Sequence, residues 1–420
     1  MSELGKERLG EPPAMNHVRP NVTTLHRLIP AAVLGLLLSA CGGSGGGGST
    51  PDKPVEPVEP PVLPVTGPGE LRSATSLKLL ASSEIQAAIT AAGPKAPAVT
   101  ARYAVQTWRL NYLTVDAAGA SVEASALVCI PVKPAGSRSP VLSYQHGTTT
   151  KDAEAPSNHA TADEAAVVMA SAGYIVLAAD YVGYGASKGR PHPYLLSTPT
   201  AAAVNDLLTA ARYWRYTQGI KDNRQLFLGG YSEGGYASVA AFRALQGGSS
   251  ELKAQLQLTV AGAGPYEVDR ALDDLLAKVK AENKVLGALL NPGFLKLLGD
   301  GDRRKVRDLL LSKAIGDDAD VVFDPTFLDL YLVDDVAGIE ARSNVYNWLP
   351  ALPLRLYHGR EDATVSYRAS SDTLTAMQQR GAGSLVTLTD CPAQPSGHLD
   401  CVQPFWNYML QQFGAVAKDL

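Results

Sequence analysis

Gln225-Leu226-Phe227-Leu228-Gly229-Gly230-Tyr231-Ser232-Glu233-Gly234-Gly235 decides how the rest of the chain is read. Leu226 to Leu228 is a short apolar run suited to a buried strand, and a helix is expected to start at once after Ser232. Gly230-x-Ser232-x-Gly234 between strand and helix is a nucleophile elbow. The serine must occupy a strained conformation on a sharp turn, so side chains beside it have to vanish. Small residues at Gly235, Ala237, Ser238 and Ala240 let the helix lie close to a sheet. Context is what gives the motif weight. Gly42-Gly43-Ser44-Gly45-Gly46 has the same spacing inside a flexible tract, where it means nothing.

A serine is a weak nucleophile and needs a base held by a third group. On an elbow of this kind the chain order is serine, acid, histidine. Only His358 and His398 follow Ser232. Leu354–Tyr357 reads as a strand, and His358 at its end reads as structural. A carboxylate a few residues beyond that strand is where the acid belongs, which selects Asp362. Glu361 is the adjacent rival, and Asp390 and Asp400 are more distant ones. His398, in Ser396-Gly397-His398, falls after the last strand and before a closing helix at Gln403–Phe413, where the base belongs. Cys391 and Cys401 flank it, and in an exported protein they are expected to form a disulfide. Cys129 sits within an alternating strand and reads as a small buried hydrophobe.

A negatively charged oxygen developing on the substrate needs two donors. The N–H of Glu233 is one. The second is assigned to Thr148, which follows Gln145-His146-Gly147 after the strand Val141–Gln145. His146 precedes Ser232 in the chain, so it is expected to order that loop rather than serve as the base.

Working outward, strand-like and helix-like segments alternate from about residue 100. Tyr103–Thr114 and Val122–Val132 look like an antiparallel pair, and the later strands are short apolar runs separated by helices. This predicts a mostly parallel sheet covered on both faces. One stretch departs from the alternation. From Pro265 to about Arg342 the pattern is helical throughout, with Leu272, Leu275, Leu276 and Val279 on one face, followed by Leu289 and Leu297. Such an insert is too long for an ordinary crossover. It is expected to form a helical cap over the site, the alternative being an enlarged crossover that packs on the sheet.

From about residue 100 onward the chain resembles the α/β-hydrolases, and within them the secretory-lipase-like serine esterases. The shared features are Tyr144-Gln145-His146-Gly147, Asp180-Tyr181-x-Gly183-x-Gly185, Gly230-Tyr231-Ser232-x-Gly234-Gly235, His358-Gly359-x-x-Asp362 and Gly397-His398. The resemblance implies the α/β-hydrolase fold with a helical cap, ester hydrolysis by Ser232, Asp362 and His398, and neither metal nor organic cofactor. A small-molecule or lipid ester is the implied substrate. A peptidase on the same fold is one alternative, and a non-catalytic ligand-binding envelope lipoprotein is another.

The first forty residues read as an export signal. Arg19, His26 and Arg27 precede a twelve-residue apolar segment, Leu28 to Ser39, too short to span a bilayer. It ends Leu38-Ser39-Ala40-Cys41, which resembles the lipobox of bacterial lipoproteins, and the signal is complete from Met15 onward. Lipidation is therefore expected at Cys41. That would make the protein an exported one, lipid-anchored to the bacterial envelope. Residues 41–70 form a Gly/Ser- and Pro-rich linker, expected to be flexible and then extended, and 71–420 form the hydrolase-like domain. The whole chain has 420 residues and a net charge of −4. The leader carries four Lys/Arg and three Asp/Glu, so the remainder carries −5. Neither nucleic acid nor electrostatic attraction to anionic lipid is expected with that balance.

Overall fold

The computed structural model describes residues 61–282, 299–316 and 318–420. Among them, nine strands form one sheet: β1 (Leu71–Leu80), β2 (Val105–Val115), β3 (Ser121–Pro131), β4 (Ser139–Gln145), β5 (Ile175–Ala179), β6 (Asp222–Tyr231), β7 (Leu256–Gly262), β8 (Leu354–His358) and β9 (Val386–Asp390). Their order is β1-β2-β3-β5-β4-β6-β7-β8-β9. The first three strands are antiparallel, and β3 meets β5 antiparallel. Every later pairing, from β5 to β9, is parallel.

The apolar runs are continuous because both faces of the parallel strands are covered. In β5, Ile175, Leu177 and Ala179 enter one core while Val176 and Ala178 enter the other. Helices Ser197–Thr217 and Glu233–Gly247 cover the first face, through residues such as Trp214 and Phe242. Ala165–Ser171 and Val402–Gly414 cover the second, the latter through Phe405, Met409 and Phe413. Cys129 is fully buried with its thiol free, as its strand position suggested.

The strand β1 and the helix Ser82–Ala92 have no counterpart in the alternating pattern read from residue 100. The reason is exposure. β1 is an edge strand that buries only Leu80, so it carries no clear period-two apolar signal.

The insert between β7 and β8 is helical where described: Val268–Glu282, Asp300–Ile315, Thr326–Leu332 and Val336–Arg342. Leu276, Leu310, Phe323, Leu328 and Leu332 pack into the first core. The positions Leu289 and Leu297 lie outside the described residues. No described helix is long and apolar enough to cross a membrane.

Parallel strands end on one edge of the sheet, and consecutive neighbours β4, β6, β7, β8 and β9 put their following loops side by side. Those loops hold Thr148, Ser232, the insert, Asp362 and His398.

Candidate active site

Ser232 sits at φ 59°, ψ −123°, a conformation that costs a non-glycine residue about 1–3 kcal/mol and persists only where its surroundings enforce it. The enforcement comes from backbone contacts that leave no room for side chains. A Cβ on Gly234 would lie 2.0 Å from the Gln145 carbonyl oxygen, and one on Gly235 would lie 2.4 Å from that of Gly262. The Ser232 N–H donates to the same Gly262 carbonyl at 2.8 Å, locking the turn to β7. Two glycines in a first helical turn weaken the helix. Here they are what allows the helix to begin against two strands.

Three side chains from three loops meet at this turn. Ser232 Oγ lies 2.9 Å from His398 Nε2, and His398 Nδ1 lies 2.6 Å from Asp362 Oδ2. A carboxylate can only accept, so Nδ1 carries the imidazole proton and Nε2 is left to accept from the serine. Asp362 is buried, which by itself would raise its pKa. Hydrogen bonds from His358 and His398, the His398 charge and the Val365 N–H outweigh burial and hold the carboxyl well below the usual carboxylate range. Its Oδ1 accepts from the Thr364 and Val365 N–H groups at 2.8 and 2.9 Å.

The rival carboxylate has a different place. Glu361 Oε2 accepts from the Ser396 N–H at 2.7 Å, and Ser396 Oγ accepts from the Glu361 N–H at 3.1 Å. Glu361 therefore pins the histidine loop. Asp390 pairs instead with Arg360 at 2.7 Å. The loop is further held by a disulfide between Cys391 and Cys401, whose Cα atoms are 5.9 Å apart. Gly359 lets the two loops touch, since a Cβ there would stand 2.0 Å from the Ser396 carbonyl oxygen.

Three contacts had no sequence signal strong enough to find them. His358, read as structural, packs against the acid itself: its Nε2 lies 2.8 Å from the Val365 carbonyl and 3.2 Å from Asp362 Oδ2. Tyr231, the variable residue of the elbow, donates its hydroxyl to the His398 carbonyl at 2.8 Å. Glu233 buries its side chain, and His192 Nε2 lies 2.7 Å from its Oε1. The spacing of 41 residues between His192 and Glu233 gives no periodic hint of that pair. A carboxylate among glycines at a buried turn was the one available clue that a partner must exist.

The two assigned oxygen-stabilising donors stand differently: Thr148 lines the cavity that holds Ser232, and Glu233 is the residue that follows Ser232. Glu233 opens the helix Glu233–Gly247, where the first N–H groups have no intrahelical acceptor. Thr148 lines a cavity of about 620 Å³ together with Ser232, Asp362 and His398. His146 lies beneath, its ring 4.3 Å from that of Tyr181 and its Nδ1 2.7 Å from the Gly147 carbonyl, consistent with ordering the loop. Tyr144, Trp406, Tyr194 and Leu195 line the cavity. Leu272, Leu275 and Phe327 of the insert line it as well, with Lys278 and Lys313 among the polar groups. The insert thus supplies residues both to the cavity wall and to the first core. Among the described residues, no group of three or more His, Cys, Asp or Glu side chains is placed to hold a metal ion.

Known proteins resemble the chain at two levels. Residues 160–246 match the prolyl oligopeptidase family. Among solved structures, a hydrolase candidate from Legionella pneumophila is 20% identical at a TM-score of 0.67, covering 82% of this chain and 97% of that one. The rice cell wall degrading esterase LipA of Xanthomonas oryzae is 21% identical at 0.65, covering 84% and 100%. The fold is that of the α/β-hydrolases. Candida antarctica lipase A in its closed state shares it at greater distance, with 19% identity, a TM-score of 0.54 and 84% of each chain covered. No curated protein matches the chain. The chain, which has the α/β-hydrolase fold, is matched to the prolyl oligopeptidase family over the stretch that contains Ser232, while its structural neighbours include an esterase and a lipase.

Proposed function

We propose that this protein is a serine hydrolase that cleaves carboxylic esters through an acyl-enzyme. The observation that carries the reading is the hydrogen-bonded chain from Ser232 through His398 to Asp362, opening into a largely apolar-walled cavity. In the reaction, Ser232 Oγ attacks the ester carbonyl while His398 Nε2 takes its proton. Asp362 orients the imidazole and stabilises its charged form. The carbonyl oxygen becomes negative and is met by the N–H groups of Glu233 and Thr148. His398 then gives its proton to the leaving alkoxide, so an alcohol departs. Water, deprotonated by His398, attacks the acyl-serine, and the acid leaves as Ser232 regains its proton. No cofactor takes part in these steps.

A second reading is favoured by one observation, the prolyl oligopeptidase match across residues 160–246. Amide cleavage by the same groups demands a stronger acid step, because an amine leaves less readily than an alcohol. Short- and long-chain p-nitrophenyl esters assayed beside an aminoacyl p-nitroanilide separate the readings. Ester turnover with an inert anilide is expected, and the reverse result selects the peptidase. Hydrolysis of neither would favour a ligand-binding lipoprotein.

The lipobox-like Leu38-Ser39-Ala40-Cys41 supports a lipid anchor at Cys41, with residues 41–70 as tether to an exported enzyme at the bacterial envelope. Cys41→Ser is expected to move the protein out of the membrane fraction with turnover of soluble esters unchanged. Retention after a high-salt wash would locate the attachment elsewhere.

A further inference from the structure

We infer that His192 is a positioning residue: it holds Glu233, and with it the N–H beside the nucleophile, using the insert as its support. The inference rests on the proposed serine-hydrolase reading.

The His192 ring is almost fully buried, at 1% exposure, and is hydrogen-bonded on both sides. Nδ1 lies 2.9 Å from the Val182 carbonyl and Nε2 lies 2.7 Å from Glu233 Oε1. A carbonyl oxygen can only accept, so Nδ1 carries a proton. A second proton must then lie between Nε2 and Oε1, whichever partner owns it, because two lone pairs would repel at that distance. The pair is therefore a strong, directional contact. Glu233 Oε2 is buried without a hydrogen-bond partner among the described residues, so this one contact orients the carboxylate.

Orienting the carboxylate orients the backbone next to Ser232. Glu233 is the first residue of its helix, and its N–H belongs to the peptide that follows the strained serine. The carbonyl of that peptide accepts from the Tyr236 N–H at 3.1 Å, while its N–H has no intrahelical acceptor. The Glu233 side chain, attached two bonds from that nitrogen, adds a restraint on the N–H side of the peptide.

His192 is in turn held by the insert. Its N–H donates to the Val322 carbonyl and its carbonyl accepts from the Asp324 N–H, both at 2.7 Å, while its ring packs 5.3 Å from that of Phe323. The same strap of the insert grips the loop after Thr148. Asp320 N–H donates to the Thr150 carbonyl at 2.9 Å, and Asp320 Oδ1 accepts from the Asp152 N–H at 2.7 Å. One segment, Asp318–Asp324, thus braces the surroundings of both assigned donors.

A misplacement of about 1 Å near reacting atoms costs on the order of 100-fold, and loss of one such donor 100- to 1,000-fold. His192→Phe keeps an aromatic ring between Tyr181 and Phe323 but removes the grip on Glu233. For a p-nitrophenyl butyrate substrate, kcat is expected to fall on the order of 10- to 100-fold with KM changed less than about threefold. Inhibition by 1-butaneboronic acid, whose tetrahedral adduct on Ser232 mimics the reacting oxygen, should weaken in parallel. The single variant also strands a buried carboxylate, which can lower stability by itself. His192→Phe/Glu233→Met removes that burden, so Tm should recover while kcat stays low. Recovery of kcat together with Tm would show a purely structural role and overturn the inference, as would a wild-type kcat in folded His192→Phe. Ser232→Ala in the same assay keeps the two readings apart. If it retains full turnover, the serine-hydrolase reading fails; if it is inactive while folded His192→Phe keeps the wild-type kcat, only the positioning role fails.

Discussion

The elbow and the insert are built on opposite principles. At the elbow, distances are set by backbone against backbone: glycines at 234 and 235 stand where any Cβ would meet a carbonyl at 2.4 Å or less. In the insert, helices are held by a partly buried apolar stripe, and the segment between them by pairs such as Lys151–Asp318 and Lys188–Asp320, at 2.9 and 3.4 Å, with largely exposed partners. Exposed pairs of this kind contribute at most about 1 kcal/mol each. The contrast teaches where tolerance lies. The proposed chemistry rests on a turn that admits almost no change, and the proposed acyl wall rests on a surface that can be altered residue by residue.

The sharpest way to break the contrast is to remove the nucleophile and leave the turn alone. Ser232→Ala should lower kcat by a factor on the order of 10⁴ or more with circular dichroism and Tm close to wild type. Residual turnover within about tenfold of wild type would dissolve the special standing of the elbow.

The two neighbouring carboxylates come next. Asp362→Asn should lose about 10³- to 10⁴-fold in kcat by presenting the wrong partner to His398, while Glu361→Gln should stay within about tenfold. The opposite ranking would transfer the acid role to Glu361. The pH dependence of stability adds an independent check. Because the folded Asp362 carboxyl is held below its ordinary range, its contribution is present above about pH 4 and is lost as pH falls toward the folded value. The Tm gap between wild type and Asp362→Asn should therefore narrow steadily below pH 4.

A single methyl group tests the packing claim. Gly234→Ala forces a Cβ against the Gln145 carbonyl, and chemical denaturation should show a loss of about 2–4 kcal/mol together with most activity. A well-folded, active Gly234→Ala would mean the turn has slack.

The smallest effect belongs to the insert. Leu275 lines the cavity from the helix Val268–Glu282. Each methylene that becomes buried is worth about 0.8 kcal/mol, so kcat/KM should climb with acyl length until the cavity ends. Leu275→Glu should flatten that climb, by about tenfold at octanoate, with acetate turnover within about threefold of wild type. Equal loss on both esters would make the insert part of the folded core rather than the acyl wall.

Much of this molecule was legible in the chain because it depends on local constraints. An apolar strand run, a glycine-framed serine and an immediate helix can be recognised within eleven residues, and chain order then narrows the base to His398 and the acid to Asp362 and its neighbours. The parallel sheet follows from continuous apolar runs between helices, and the disulfide from two cysteines flanking one loop. The strand Leu71–Leu80 was missed because an exposed edge has no periodic burial to read. Tertiary structure alone decided the rest: that Asp362 and not Glu361 reaches His398, that Glu361 pins Ser396, and that His192 meets Glu233. Each is a contact between loops brought together by strand order, and hydrogen-bond direction at loop ends is set by the placement of whole strands, which no spacing along the chain encodes.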